Sequence, residues 1–118
     1  MPIWRSETPA TWYYDAQPID PDDSVIDIDR IYCFDWDAWT SEHHAVLEAI
    51  YPELPGWVGY DNGPCWFGFE NVDDLFLWAS MEPPGLQVAG VVNRSDWEVW
   101  HEAFLKRTSR LPYRTPPE

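Results

Sequence analysis

Residues 75–105 read LFLWASMEPPGLQVAGVVNRSDWEVWHEAFL, and this stretch decides the fold. Leu75–Met81 and Leu86–Val92 are short runs of aliphatic and aromatic residues on either side of Pro83-Pro84-Gly85. Two such runs around turn residues predict an antiparallel hairpin. Gly90 inside the second run predicts a bulge, because a strand glycine has no side chain to pack. The period then changes from two to 3.6. Trp97, Trp100, Phe104 and Leu105 fall at helical spacing. Ser95 and Glu98 have the S-x-x-E spacing of a capping box. Lys106, Arg107 and Arg110 complement the dipole of the last turns, and Leu111-Pro112 ends the helix.

Working back from the hairpin, Cys65–Glu70 predicts one more strand, joined to it by the turn residues Asn71, Asp73 and Asp74. Tyr51–Pro64 holds three Pro and three Gly in fourteen residues and is expected to be a loop. Before it, Trp36, Trp39, Val46, Leu47 and Ile50 share one helical stripe, with His43 inside it, Asp35 as the cap and Pro52 as the stop. Val25–Phe34 is β-branched and aromatic, interrupted by Asp27, Asp29 and Arg30, and predicts a strand. Residues 1–24 carry Pro2, Pro9, Pro18 and Pro21 and are expected to form an irregular arm, its Trp4, Trp12, Tyr13 and Tyr14 packed on the domain.

The fold class expected is therefore α+β. A small antiparallel sheet of about four strands packs against two helices in the order β-α-β-β-β-α. One domain spans 1–118, with the arm at 1–24, the core at 25–111 and a frayed tail at 112–118.

Composition narrows function. Twenty-one acids oppose seven bases among 118 residues, giving a net charge of −14 and a pI near 4.2. Residues 1–93 carry 17 of the acids and only Arg5 and Arg30 as bases. Eight Asp crowd between Asp15 and Asp37. Direct binding to nucleic acid or to anionic lipid needs the opposite sign. No apolar run is long enough to span a bilayer. Nine Trp, six Tyr and five Phe supply a core that disordered chains lack. Met1–Tyr14 contains no apolar signal segment, so the expected compartment is the cytoplasm, with Cys33 and Cys65 as reduced thiols.

The chemistry of individual sites is poorly supported by spacing. Cys33, Cys65, His43, His44 and His101 make no CxxC and no HxxxH, and vicinal histidines on a helix diverge by about 100°, so no metal is expected. A Cys65 nucleophile served by a histidine would need electropositive surroundings, and this block is acidic. His101 is expected to be a core-edge histidine with a hydrogen-bonded ring. The Asp20–Asp29 run lacks the glycine and closing Glu of a calcium loop. No glycine-rich phosphate cradle exists, so neither cofactor nor catalytic residue is assigned.

What remains is the surface. Acids beside aromatic residues suit capture of a protein with a basic surface, charge steering the encounter and rings anchoring it. The expected partner-binding residues are Asp20, Asp22, Asp23, Asp27 and Asp29, then Asp61, Asp73 and Asp74 on the turns. Trp57 and Tyr60 are the expected anchors. Size and composition point to a small inhibitor, a bacterial immunity protein or antitoxin that occludes a basic toxin or nuclease-type enzyme. A phage-type DNA mimic (anti-restriction or anti-CRISPR) is the alternative, and a small enzyme using Cys65, His101 or a buried carboxylate the second.

Overall fold

The computed structural model describes residues 11–115. Its strands are β1 (Tyr13–Asp15), β2 (Val25–Tyr32), β3 (Trp57–Tyr60), β4 (Pro64–Trp66), β5 (Phe76–Glu82) and β6 (Gly85–Asn93); its helices are α1 (Ser41–Ile50) and α2 (Arg94–Arg107). All strands pair antiparallel in one sheet of order β1-β2-β6-β5-β4-β3. The class is α+β as expected. The four-strand sheet and the order β-α-β-β-β-α are not: the sheet has six strands, and the order is β-β-α-β-β-β-β-α.

The two extra strands lie where composition argued for irregular chain. β1 belongs to the expected arm, yet Tyr13 pairs with Tyr32, Tyr14 with Ile31 and Asp15 with Arg30. It is held by side chains. The Tyr13 ring meets those of Tyr32 and His101, and Asp15 receives two hydrogen bonds from the Arg30 guanidinium at 2.7 and 3.0 Å. That guanidinium lies 4.4 Å from the Tyr13 ring centroid and 5.0 Å from that of Trp97. Of the expected arm, residues 1–10, Trp4 among them, lie outside the described chain. β3 sits inside the expected loop. Its Trp57 packs edge-on against Trp66, and a register shift between Trp57 and Gly59 is accommodated by Gly59 at φ 118°, a backbone conformation that favours glycine.

The β5–β6 hairpin forms with Pro83-Pro84 as its two-residue connection. Gly90 makes no bulge, because register runs unbroken through Ile28–Gly90–Leu77. A Cβ there would stand 2.0 Å from the Phe76 carbonyl oxygen, so glycine serves close strand approach. β4 stops at Trp66, short of the expected Glu70, because Phe67 turns the chain at φ 71°.

Both helices start elsewhere than the sequence implies. Asp35 caps only the single 3-10 turn Trp36–Ala38. Trp39 is extended, and Thr40 caps α1 in a box whose second member is His43, whose Nδ1 accepts the Thr40 N–H. His43 is thus a capping residue, and Trp36 and Trp39 reach the core around Phe34 from outside the helix. In α2 the Ser95–Glu98 box does not form. β6 runs straight into the helix, leaving Asn93 as the cap position with no side-chain capping bond. Arg94 then ties the β1–β2 connection down through the carbonyls of Asp20 and Asp23. Nor are residues 112–115 of the expected tail frayed: Tyr113 bridges to Phe34 and meets the Thr108 hydroxyl at 2.8 Å. Residues 116–118 lie outside the described chain.

The core takes one parity from each strand. Ile26, Ile28 and Tyr32 of β2, Leu86, Val88 and Val92 of β6, Leu77 and Ala79 of β5 and Trp66 of β4 meet Leu47 and Ile50 of α1 and Trp97, Trp100 and Phe104 of α2. Aromatic rings dominate it. Trp100 stacks on Phe104 and meets Trp66 edge-on, at 5.0 and 5.1 Å between centroids. Both helices therefore cover the same face of the sheet.

Candidate partner-binding face

The opposite parity builds the other face, against which neither α1 nor α2 is packed. Register defines its rows. Asp29 pairs with Ala89, Ala89 with Trp78, and Trp78 with Cys65. In the row toward the open end of β2, Asp27 pairs with Val91 and Val91 with Phe76. In the row on the other side, Ile31 pairs with Gln87 and Gln87 with Ser80. An alternating strand thus places Asp27 and Asp29 side by side on the face left free by the helices.

Two shallow cavities share this face. One, of about 260 Å³, is lined by Asp27, Asp29, Glu70, Phe76, Trp78 and Gln87 among others. The second, of about 220 Å³, is lined by Asp61, Asn62, Cys65, Glu70 and Trp78 among others. Trp78 and Glu70 border both, so the two form one trough with carboxylates along its walls. No Lys or Arg lines either. Four of the six described bases are engaged elsewhere: Arg30 on the helix side with Asp15, Arg94 on the Asp20 and Asp23 carbonyls, Arg107 on Glu53, and Arg114 over the Trp12 ring; Lys106 and Arg110 lie at and beyond the end of α2. The trough walls therefore carry carboxylates with no cation among their lining residues.

The expected residues fall into three groups. Asp27, Asp29 and Asp61 are brought together along the trough. Asp29 is held in place by Gln87, whose side-chain N–H donates to it at 2.9 Å. Asp20, Asp22 and Asp23 stay exposed on the β1–β2 connection, with Asp20 accepting the Asp22 N–H. Asp73 and Asp74 are exposed on the β4–β5 connection, where Asp73 accepts the Phe69 N–H and staples the turn. Trp57 and Tyr60 lie on the edge strand, away from the trough. Trp57 is half-buried against Trp66, and Tyr60 is 58% exposed and packs its ring edge-on against Trp57. Trp78, Phe76, Glu70 and Gln87 are the trough residues that the sequence did not single out. Strand parity held the signal: if Leu77 and Ala79 face the core, Trp78 cannot.

The structure separates the components of a thiol site. Cys65 is on the trough face and His101 on the helix face, so they form no dyad. Burial pushes the Cys65 thiol up; a backbone hydrogen bond from Asp61 opposes this in part, and the Asp61 and Glu70 charges add to it. His101 accepts or shares a proton with the Tyr32 hydroxyl at 2.7 Å and lies 3.2 Å from Arg30, as a core-edge histidine. Among the described residues no group of three or more His, Cys, Asp or Glu is placed to hold a metal ion. Nor is any described helix long and apolar enough to cross a membrane. No family model matches the chain, and no curated protein or solved structure matches it either.

Proposed function

We propose that this chain is a small acidic inhibitor that acts by protein–protein binding: a bacterial immunity protein or antitoxin, cytoplasmic, that lies over the basic surface of a toxin or nuclease-type enzyme and does no chemistry itself. The observation that supports this most is the trough, a sheet face free of both helices and bordered by Asp27, Asp29, Asp61 and Glu70 with no base among its lining residues. Gathering like charges on one face costs self-repulsion, which a cationic partner relieves. Trp78 and Phe76 add the aromatic area that anchors interfaces.

The test is capture of the partner from source cells, its identification by mass spectrometry, and binding kinetics with the purified pair. The on-rate should fall steeply as salt rises from about 0.05 to about 0.3 M, because exposed charges are screened over about 8–10 Å near physiological ionic strength. An Asp22→Lys/Asp23→Lys/Asp27→Lys variant should associate more slowly, and the complex should suppress the partner's activity. An on-rate that ignores both salt and the triple variant would refute electrostatic capture.

A further inference from the structure

We infer that the cavity between Asp29 and Trp78 is a socket for an arginine side chain carried by the basic partner; this deepens the docking reading above and rests on it. The socket is made by a size difference within one cross-strand row. Asp29, Ala89 and Trp78 are consecutive partners on three adjacent strands. Neighbouring strands lie about 4.8 Å apart, so the carboxylate-bearing and indole-bearing backbones stand roughly 10 Å apart with only the Ala89 methyl between them. The space is about 260 Å³, with Asp27, Asp29 and Glu70 on its walls beside the rings of Phe76 and Trp78.

That combination selects the ligand. Carboxylates alone would suit any cation, but carboxylates beside aromatic faces suit a planar one that can stack and donate at once. A guanidinium offers five N–H donors in a plane and sheds its hydration more readily than an ammonium. Asp29 is already oriented by the Gln87 amide N–H, so its remaining lone pairs are available without reordering the side chain. The amide oxygen of Gln87 is a further acceptor beside it. Among the described residues the Trp78 indole N–H is buried and has no hydrogen-bond partner. A second copy of this chain is a poor occupant, because it would bring another net charge of −14 to the same face.

The experiment titrates the full chain with three acetylated, amidated tripeptides, Gly-Arg-Gly, Gly-Lys-Gly and Gly-citrulline-Gly, and follows the indole N–H resonance of Trp78 by NMR. The arginine probe should shift that resonance saturably, the lysine probe should bind at least about 3-fold more weakly, and the uncharged citrulline probe should give no saturable shift. Ala89→Leu, which fills the space and leaves every carboxylate in place, should weaken the arginine probe about 10-fold, and Asp29→Asn should weaken it as well. Equal responses to arginine and citrulline, or an arginine response that leaves Trp78 unmoved, would overturn the socket. With the purified partner, unchanged affinity for Ala89→Leu together with a steep salt dependence refutes the socket and leaves the docking face standing. A flat salt dependence refutes the docking reading itself.

Discussion

Acidification should expose the histidine on α2. His101 lies against β2, its Nδ1 2.7 Å from the Tyr32 hydroxyl and 3.2 Å from Arg30 Nη1. Tyr13 meets its ring edge-on and Trp97 stacks on it. Burial, reinforced by the Arg30 charge and only partly offset by Asp15, lowers its pKa from 6.5 to about 4. Glu98, Glu102 and Arg94 line the same cavity and complete its charged surroundings. A neutral ring can accept from Tyr32 or Arg30, whereas a protonated ring would present a second cation to a guanidinium that only donates. Because the folded pKa lies below the unfolded one, the unfolded chain binds more protons between about pH 4 and 6.5. The contribution to stability is therefore complete above about pH 6.5 and is lost as pH falls through about 4. At about 1.4 kcal/mol per unit the ceiling is about 3.4 kcal/mol, and partial solvent access brings the expected loss to about 1–2 kcal/mol at pH 4.5. Urea unfolding of wild type and His101→Gln at pH 7.5, 5.5 and 4.5 measures it. The carboxylates titrate in both proteins and cancel in the difference. Wild type should lose about 1–2 kcal/mol more than the variant on acidification. A difference that stays flat, or an NMR titration placing His101 at its ordinary value, would refute the reasoning.

Trp100→Ala should cost about 3–5 kcal/mol in chemical denaturation, because the fully buried indole stacks on Phe104 and meets Trp66, and neither can fill the void. Gly90→Ala should cost at least about 2 kcal/mol by the same assay, since its Cβ would stand 2.0 Å from the Phe76 carbonyl oxygen and two central strands would have to part. A wild-type midpoint in that variant would show that β5 and β6 approach less closely. Cys33 and Cys65 are both buried with thiols pushed up by burial, so Ellman's reagent at pH 8 should react with them only after denaturant is added.

Local pattern determined much of this protein. The hairpin around Pro83-Pro84, the long strand Val25–Tyr32 and the Trp97–Phe104 stripe of α2 each carry enough residues in one period to declare themselves. β1 and β3 do not, having three and four residues, too few for alternation to show among prolines and glycines. β1 is a strand because Tyr13 and Asp15 find Tyr32 and Arg30, partners remote in sequence, and β3 because Trp57 packs on Trp66 nine residues on, across a register shift that simple alternation does not show. α1 starts later than its stripe implies for a related reason: Trp36 and Trp39 fit the stripe, but Phe34 claims their rings and Thr40 offers a better cap. For the site, period two already places Asp27 and Asp29 on one side of β2. It cannot say which side the helices will cover. That choice was made when both helices packed on the face bearing Trp66 and Tyr32, which left Trp78 beside the acids and drew Trp57 toward the core. A sequence records which residues share a face, whereas only packing between distant elements decides which face remains open.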